Sequence, residues 1–202
     1  MQAAPGIQKV IHVAIFASGA GTNALKIIDY FKNSGTIKIS LIVCNNSTAG
    51  VLKIAKEENI PFLILEKEKF KAAGYVEEFK NLKVDFIVLA GFLWKVPQIL
   101  INAFHGKIIN IHPALLPAYG GKGMYGDAVH TAVIAANEKE SGITIHYVDE
   151  KYDHGDIIFQ SSCPVEKSET AASLATKIHA LEHKYYPVQI EKLLEKMLSA
   201  TC

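Results

Sequence analysis

An amide and an imidazole two positions apart, Asn110 and His112, make the run Asn110, Ile111, His112, Pro113 the part of the chain best suited to chemistry. Lys107, Ile108 and Ile109 lead into it after Gly106 and read as a short strand, with Asn110 and His112 near its carboxyl end. Open α/β sheets place their chemistry there. Side chains alternate along a strand, so these two share one face while Ile111 takes the other. Asn110 can donate to an oxygen that turns negative as a carbonyl is attacked, and His112 can carry a proton near neutral pH. The pair fits acyl transfer without a covalent nucleophile. Leu115, Leu116 and Pro117 follow, then a glycine-rich run from Gly120 to Gly126; the Leu116–Pro117 bond is a candidate cis peptide.

A second candidate lies near the amino terminus, where an apolar stretch from Val10 to Phe16, broken only by His12, ends in Ser18, Gly19, Ala20, Gly21, Thr22, Asn23. Leu25, Ile27, Ile28 and Phe31 then mark a helix. Thr22 or Asn23 can cap it, and its free N–H groups and positive dipole end can hold an anion, with Gly19 and Gly21 allowing close approach. The glycine spacing also fits the loose dinucleotide fingerprint, which requires an acidic residue about twenty positions on. The next strand, Ile37 to Cys44, ends instead in Asn45 and Asn46. A monophosphate ligand is therefore favoured over a dinucleotide.

Composition narrows the partners. In 202 residues, half are hydrophobic and the formal net charge is +1, which argues against a basic nucleic-acid-binding stripe. All 21 basic residues are lysines, so an anion must meet ammonium groups, backbone N–H groups or hydroxyls rather than a bidentate guanidinium. Three widely spaced cysteines, Cys44, Cys163 and Cys202, suit reduced thiols in a cytoplasm. The first apolar run is too short for a signal peptide and reads better as a buried strand; no run is long enough to span a bilayer.

The elements that position these groups alternate. A helix from about Gly50 to Glu58, a strand Phe62 to Leu65, a lysine-rich connection bearing Lys67, Lys69 and Lys71, a helix around Tyr75 to Asn81 and a strand Val84 to Ala90 indicate a mostly parallel sheet with right-handed crossovers. The only tryptophan follows that strand, where a flat ring could lie against Leu93, Trp94 and Val96, or where these residues simply close a hydrophobic corner. Asp127 to Ala136 reads as a helix. Gly142 to Val148 and Ile157 to Phe159 form an expected antiparallel hairpin at the sheet edge, joined by a loop rich in carboxylates, Asp149, Glu150, Asp153 and Asp156. A carboxylate there can face His112 and raise its pKa. A last helix opens at Ser168 or Thr170, carries Leu174, Ile178, Leu181, Tyr185 and Val188 along one stripe, and should kink or break at Pro187. Within it, His179, Glu182 and His183 match a zinc-protease pattern that lacks a convincing third ligand, leaving Glu182 as a candidate contact for a substrate amine.

Taken together, the run Asn110 to Pro117, the loop Ser18 to Asn23 and the later Tyr152, Asp153, His154, Gly155 resemble the folate-dependent phosphoribosylglycinamide formyltransferase family over nearly the whole chain. The resemblance implies an α/β fold, a Rossmann-like mostly parallel sheet with helices on both faces and antiparallel edge strands in the C-terminal half. It implies a single catalytic domain over residues 9–198, with a nucleotide-binding half (9–108) and a catalytic and folate-binding half (109–198). It carries Asn110, His112 and Asp153 over as catalytic, Gly21, Thr22, Asn23 and Glu182 as ribonucleotide-binding, and Leu93, Trp94, Lys95 and Val96, with Asn110, as folate-binding. The co-substrate would be 10-formyltetrahydrofolate, with no metal, no nucleic acid and no membrane, in a cytoplasmic monomer or homodimer. Some members carry arginines where this chain has Trp94 and just before Tyr75, and proline where it has Asp156. A formyltetrahydrofolate hydrolase and a methionyl-tRNA formyltransferase share this chemistry but usually carry an added domain, for which the chain has no room.

Overall fold

A computed structural model describes residues 9–72 and 74–200. Cys202 lies outside them. In chain order the elements are β1 (Ile11–Ala17), α1 (Thr22–Phe31), β2 (Ile37–Cys44), α2 (Val51–Glu57), β3 (Phe62–Ile64), α3 (Lys67–Lys71), α4 (Val76–Asn81), β4 (Phe86–Leu89), α5 (Gln98–Ala103), β5 (Ile108–His112), α6 (Asp127–Ala135), β6 (Glu140–Tyr147), β7 (Ile157–Pro164) and α7 (Ala171–Ser199). One seven-stranded sheet runs β3-β2-β1-β4-β5-β6-β7. The pairs from β3 to β5 are parallel and those of β6 and β7 antiparallel, so the mixed sheet expected from the sequence is the one found.

The strand order reverses between β1 and β4, and a crevice opens beyond their carboxyl ends, the position where such sheets take ligands. β1 is fully buried apart from His12. That polar interruption and Asp85 belong together: the His12 backbone N–H donates to the Asp85 carboxylate at 2.9 Å, and the Asp85 N–H returns to the His12 carbonyl at 2.8 Å. On one face, Ile15, Ile109, Ile111 and Ile145 pack against α1, α2, α6 and α7; on the other, Phe16, Ile87 and Ile108 pack under α3, α4 and α5.

Four local features depart from expectation. The lysine-rich connection contains the short helix α3, in which Phe70 is buried while the lysines face outward. Helix α5 carries Leu100 and Ile101 into the core from a six-residue segment too short for a periodic signal. The buried stripe of α7 passes through Leu174, Ile178, Glu182, Tyr186, Ile190 and Leu194, with Leu181, Tyr185 and Val188 on its flanks. The fourth is that α7 continues through Pro187. An interior proline costs about 3 kcal/mol through its missing N–H and the clash with the carbonyl four residues back. Leu174, Ile178, Ile190 and Leu194 are completely buried, each contributing about 1.5–3 kcal/mol, so packing outweighs the local preference. The helix start agrees with expectation: Thr170 caps it in a reciprocal box with Ser173.

Candidate active site

β5 delivers Asn110 and His112 to the face that also carries Ile108, and cross-strand pairing extends that face. Asn110 lies opposite His146 and His112 opposite Thr144, which in turn lies opposite Gln160. Here two loops, residues 113–126 and 148–156, cover the sheet in place of a helix. Thr144, completely buried, pins the first of them. Its hydroxyl donates to the Ala114 carbonyl at 2.7 Å and accepts from the Leu116 N–H at 2.9 Å and from Gln160 Nε2 at 2.8 Å. Each such bond contributes about 0.5–1.5 kcal/mol net, and each leaves a costly orphan if one partner is lost. The turn they hold contains the Leu116–Pro117 peptide, which is cis, as the sequence suggested.

The loop returns to the imidazole. His112 is 3% exposed, and its Nε2 donates to the Tyr119 carbonyl at 2.7 Å. Nδ1 is thereby left to exchange a proton, and it faces Asp153 Oδ2 at 3.5 Å. Asp153 adopts a left-handed backbone (φ 52°), a conformation that aspartate tolerates better than most residues. Its Oδ2 also accepts from the Gly121 N–H at 2.9 Å, and its Oδ1 lies 3.5 Å from Asn110 Nδ2 and 3.7 Å from His146 Nε2. Asp153 therefore joins the amide and the imidazole, while the other loop acids turn elsewhere. Asp149, for example, pairs with His154 at 2.8 Å.

The electrostatics correct one expectation. Burial is the largest influence on His112 and pulls its pKa below the usual histidine value; the Asp153 charge and the Tyr119 carbonyl oppose it without reversing it. The expected net rise is not found, because desolvation of a ring this deeply buried outweighs a carboxylate 3.5 Å away. For Asp153, burial works upward, but the His112 charge and the Gly121 N–H together hold the carboxyl below its usual range.

Sequence reasoning passed over His146. Its Nδ1 donates to the Tyr147 carbonyl at 2.8 Å, so Nε2 can accept from Asn110 Nδ2 at 3.2 Å and orient the amide. The available signal was its place out of phase with Ile143, Ile145 and Tyr147, which puts it on the face shared with Asn110.

Across the crevice, α1 begins at Gly21, which takes the cap position in the left-handed region (φ 82°) with no side-chain cap. The expectation that Thr22 or Asn23 caps is corrected: Thr22 is already helical, and Asn23 Nδ2 instead donates to Glu182 Oε2 at 2.8 Å. A Cβ on Gly21 would come within 2.8 Å of Val51, so glycine is needed for packing as well as for its backbone angle. The helix's first N–H groups stay open to an anion. Glu182, buried on α7, also accepts from His179 Nδ1 at 2.8 Å, which raises the pKa of that histidine. Among the described residues, no group of three or more histidine, cysteine, aspartate or glutamate side chains is placed to hold a metal. Asn46, one of the two asparagines standing where a dinucleotide fingerprint would want an acid, is occupied in its own turn with Thr48 at 2.9 Å.

Gly21, Thr22, Asn23, Asn110, His112, Asp153 and Glu182 share one cleft of about 590 Å³. A second cavity of about 740 Å³ adjoins it through Leu93 and Tyr152 and is lined by Phe70, Trp94, Lys95 and Val96. Trp94 meets both readings of its segment: its ring packs 6.0 Å from Phe70 and 6.5 Å from Phe92, and it also lines this cavity. Ser18 ties the two regions together by accepting from the Leu93 N–H at 2.9 Å.

The sheet turns from parallel to antiparallel at β5, which carries the amide and the imidazole while the 148–156 loop brings the carboxylate to them, and residues 11–190 match the family described as formyl transferase. The chain is 38% identical to phosphoribosylglycinamide formyltransferase of Bacillus subtilis, covering 90% of this chain and 93% of that protein. It is 40% identical to the chloroplastic phosphoribosylglycinamide formyltransferase of Vigna unguiculata over 92% of this chain, but spans only 62% of that relative's length. The crystal structure of phosphoribosylglycinamide formyltransferase from Bacillus halodurans superimposes with a TM-score of 0.84 at 39% identity, covering 92% of this chain and 96% of the other. The chain belongs to the phosphoribosylglycinamide formyltransferase family.

Proposed function

We propose that the chain transfers the formyl group of 10-formyltetrahydrofolate to the amine of 5'-phosphoribosylglycinamide, a step of purine biosynthesis. The observation that carries this reading is the convergence of Asn110, His112 and Asp153 on a cleft whose opposite wall holds Gly21, Thr22, Asn23 and Glu182. The nucleotide's phosphate meets the open start of α1, and Glu182 receives the glycinamide amine. The folate lies along Leu93, Trp94, Lys95 and Val96, with its formyl group at Asn110. In this assignment residues 9–108 form the nucleotide-binding half and residues 109–198 the catalytic and folate-binding half, with Leu93 to Val96 of the first and Glu182 of the second reaching across to the other substrate.

The amine attacks the formyl carbon, and the carbonyl oxygen takes up negative charge. Asn110 Nδ2 donates to that oxygen, exchanging its long 3.5 Å contact with Asp153. His112 Nδ1 takes up the amine's surplus proton and, as the tetrahedral centre collapses, acts as the general acid that delivers it to the folate nitrogen while its bond to the formyl carbon breaks. Asp153 favours the imidazolium and keeps Nδ1 aimed at the cleft. Both partners are small molecules. We place the reaction in the cytoplasm, consistent with the free thiols of Cys44 and Cys163 and with the lack, among the described residues, of a helix long and apolar enough to cross a membrane.

The test follows cofactor absorbance with 10-formyltetrahydrofolate in the presence and absence of the ribonucleotide. Turnover that requires the nucleotide supports transfer, equal turnover in both indicates a hydrolase, and none in either removes the proposal. The electrostatics add a directional prediction. Asp153→Asn removes the negative charge that favours protonated His112, so the limb of the pH dependence of kcat/KM due to His112 moves to lower pH. An unmoved limb, or one displaced to higher pH, contradicts the role given to Asp153.

A further inference from the structure

The glycine-rich run after β5 is not used by the scheme above, yet it forms one wall of the catalytic cleft. Its backbone is fixed at two points: the Tyr119 carbonyl receives His112 Nε2, and the Gly121 N–H donates to Asp153. Between Gly121 (φ 99°) and Gly123 (φ 91°) stands Lys122, exposed and lining the cleft together with Gly19, Gly21, Thr22 and Asn23. It is the only lysine among the cleft's lining residues. No ion pair or hydrogen bond engages its ammonium among the described residues, whereas Lys32, Lys69 and Lys177 are paired with glutamates. The cleft's own carboxylates are Asp153 and Glu182, both held by other donors.

We infer that Lys122 is the cationic ligand of the acceptor's phosphate monoester, closing over the group from the wall opposite α1. The inference rests on the proposed activity, which makes one substrate a phosphate dianion. A dianion bound only by backbone N–H groups, in a cleft with two carboxylates where the one histidine of raised pKa, His179, is already paired with Glu182, lacks a free counter-charge. The chain has no arginine to supply one, and Lys122 is the lysine placed on that cleft. Because its backbone neighbour Gly121 is bonded to Asp153, the phosphate contact also anchors the loop that carries the Tyr119 carbonyl to His112.

The probe is ribose 5-phosphate, measured by calorimetry on the full chain and as a competitive inhibitor against the ribonucleotide. Lys122→Ala and Lys122→Met should each weaken its binding and raise the KM for the ribonucleotide by about 10- to 100-fold, the effect of losing one charge-assisted contact. Lys122→Arg, which restores the charge, should recover most of that loss. Free ribose, lacking the phosphate, should bind the variants and the parent protein alike. Unchanged ribose 5-phosphate affinity in both neutral variants, with circular dichroism showing a folded chain, overturns the inference. A rise confined to the KM for the formyl folate overturns it too, by assigning Lys122 to the other substrate; so does a fall in kcat alone, which points to a structural role in the loop. Calorimetry needs no turnover, so failure of the proposed activity is read separately from failure at Lys122.

Discussion

Replacing His112 with alanine lowers kcat by about 10²- to 10⁴-fold, the loss that follows removal of a positioned proton-transfer group. The geometry leaves no obvious substitute. Nδ1 is the nitrogen free for proton exchange, because Nε2 is committed to the Tyr119 carbonyl, and His146 presents its Nε2 to the Asn110 amide. Asp153, held below the usual carboxylate range, is a poor acid at neutral pH. The substitution also removes a buried ring and orphans the Tyr119 carbonyl, so thermal unfolding should accompany kinetics to separate turnover from folded fraction. Purified, folded His112→Ala protein turning over at near the parent rate would end the proposed chemistry.

Asn110→Ala is the second large effect, about 10²- to 10³-fold in kcat, comparable to deleting one donor from an oxyanion site. The donor acts only as charge develops, so the loss should fall on kcat and kcat/KM together, with KM for the formyl folate little changed. The amide is already oriented before substrate arrives, since His146 Nε2 holds it at 3.2 Å, and the longer Asp153 contact is the one a substrate oxygen displaces. A variant whose defect lies wholly in KM would show that Asn110 binds ground-state substrate and does not stabilise the transition state.

Much of this was legible residue by residue. The apolar runs of β1, β2 and β4, a capped helix start at Ser168 or Thr170, the glycine turn before α1 and the antiparallel hairpin of β6 and β7 all follow from periodicity and turn chemistry. The shared face of Asn110 and His112 follows from strand alternation alone. Short elements were harder to read. α3 and α5 span five and six residues and exist because Phe70, Leu100 and Ile101 are buried, a long-range cause that leaves little local pattern. The course of α7 through Pro187 is likewise decided by what packs around it.

By itself the chain determined the order of the strands and the longer helices, the amide and imidazole at the end of β5, and the lack of any guanidinium for anions. Those are properties of neighbouring residues and composition, which a linear reading contains. The family resemblance singled out Asp153 from a loop of four acids, but only the folded arrangement set it between Asn110 and His112, recruited His146 to orient Asn110, set Asn23 on Glu182 instead of on its own helix, and drew the His112 pKa down. Each of those depends on distances between residues far apart in sequence and on exclusion of water, quantities that arise when loops 113–126 and 148–156 close over the sheet.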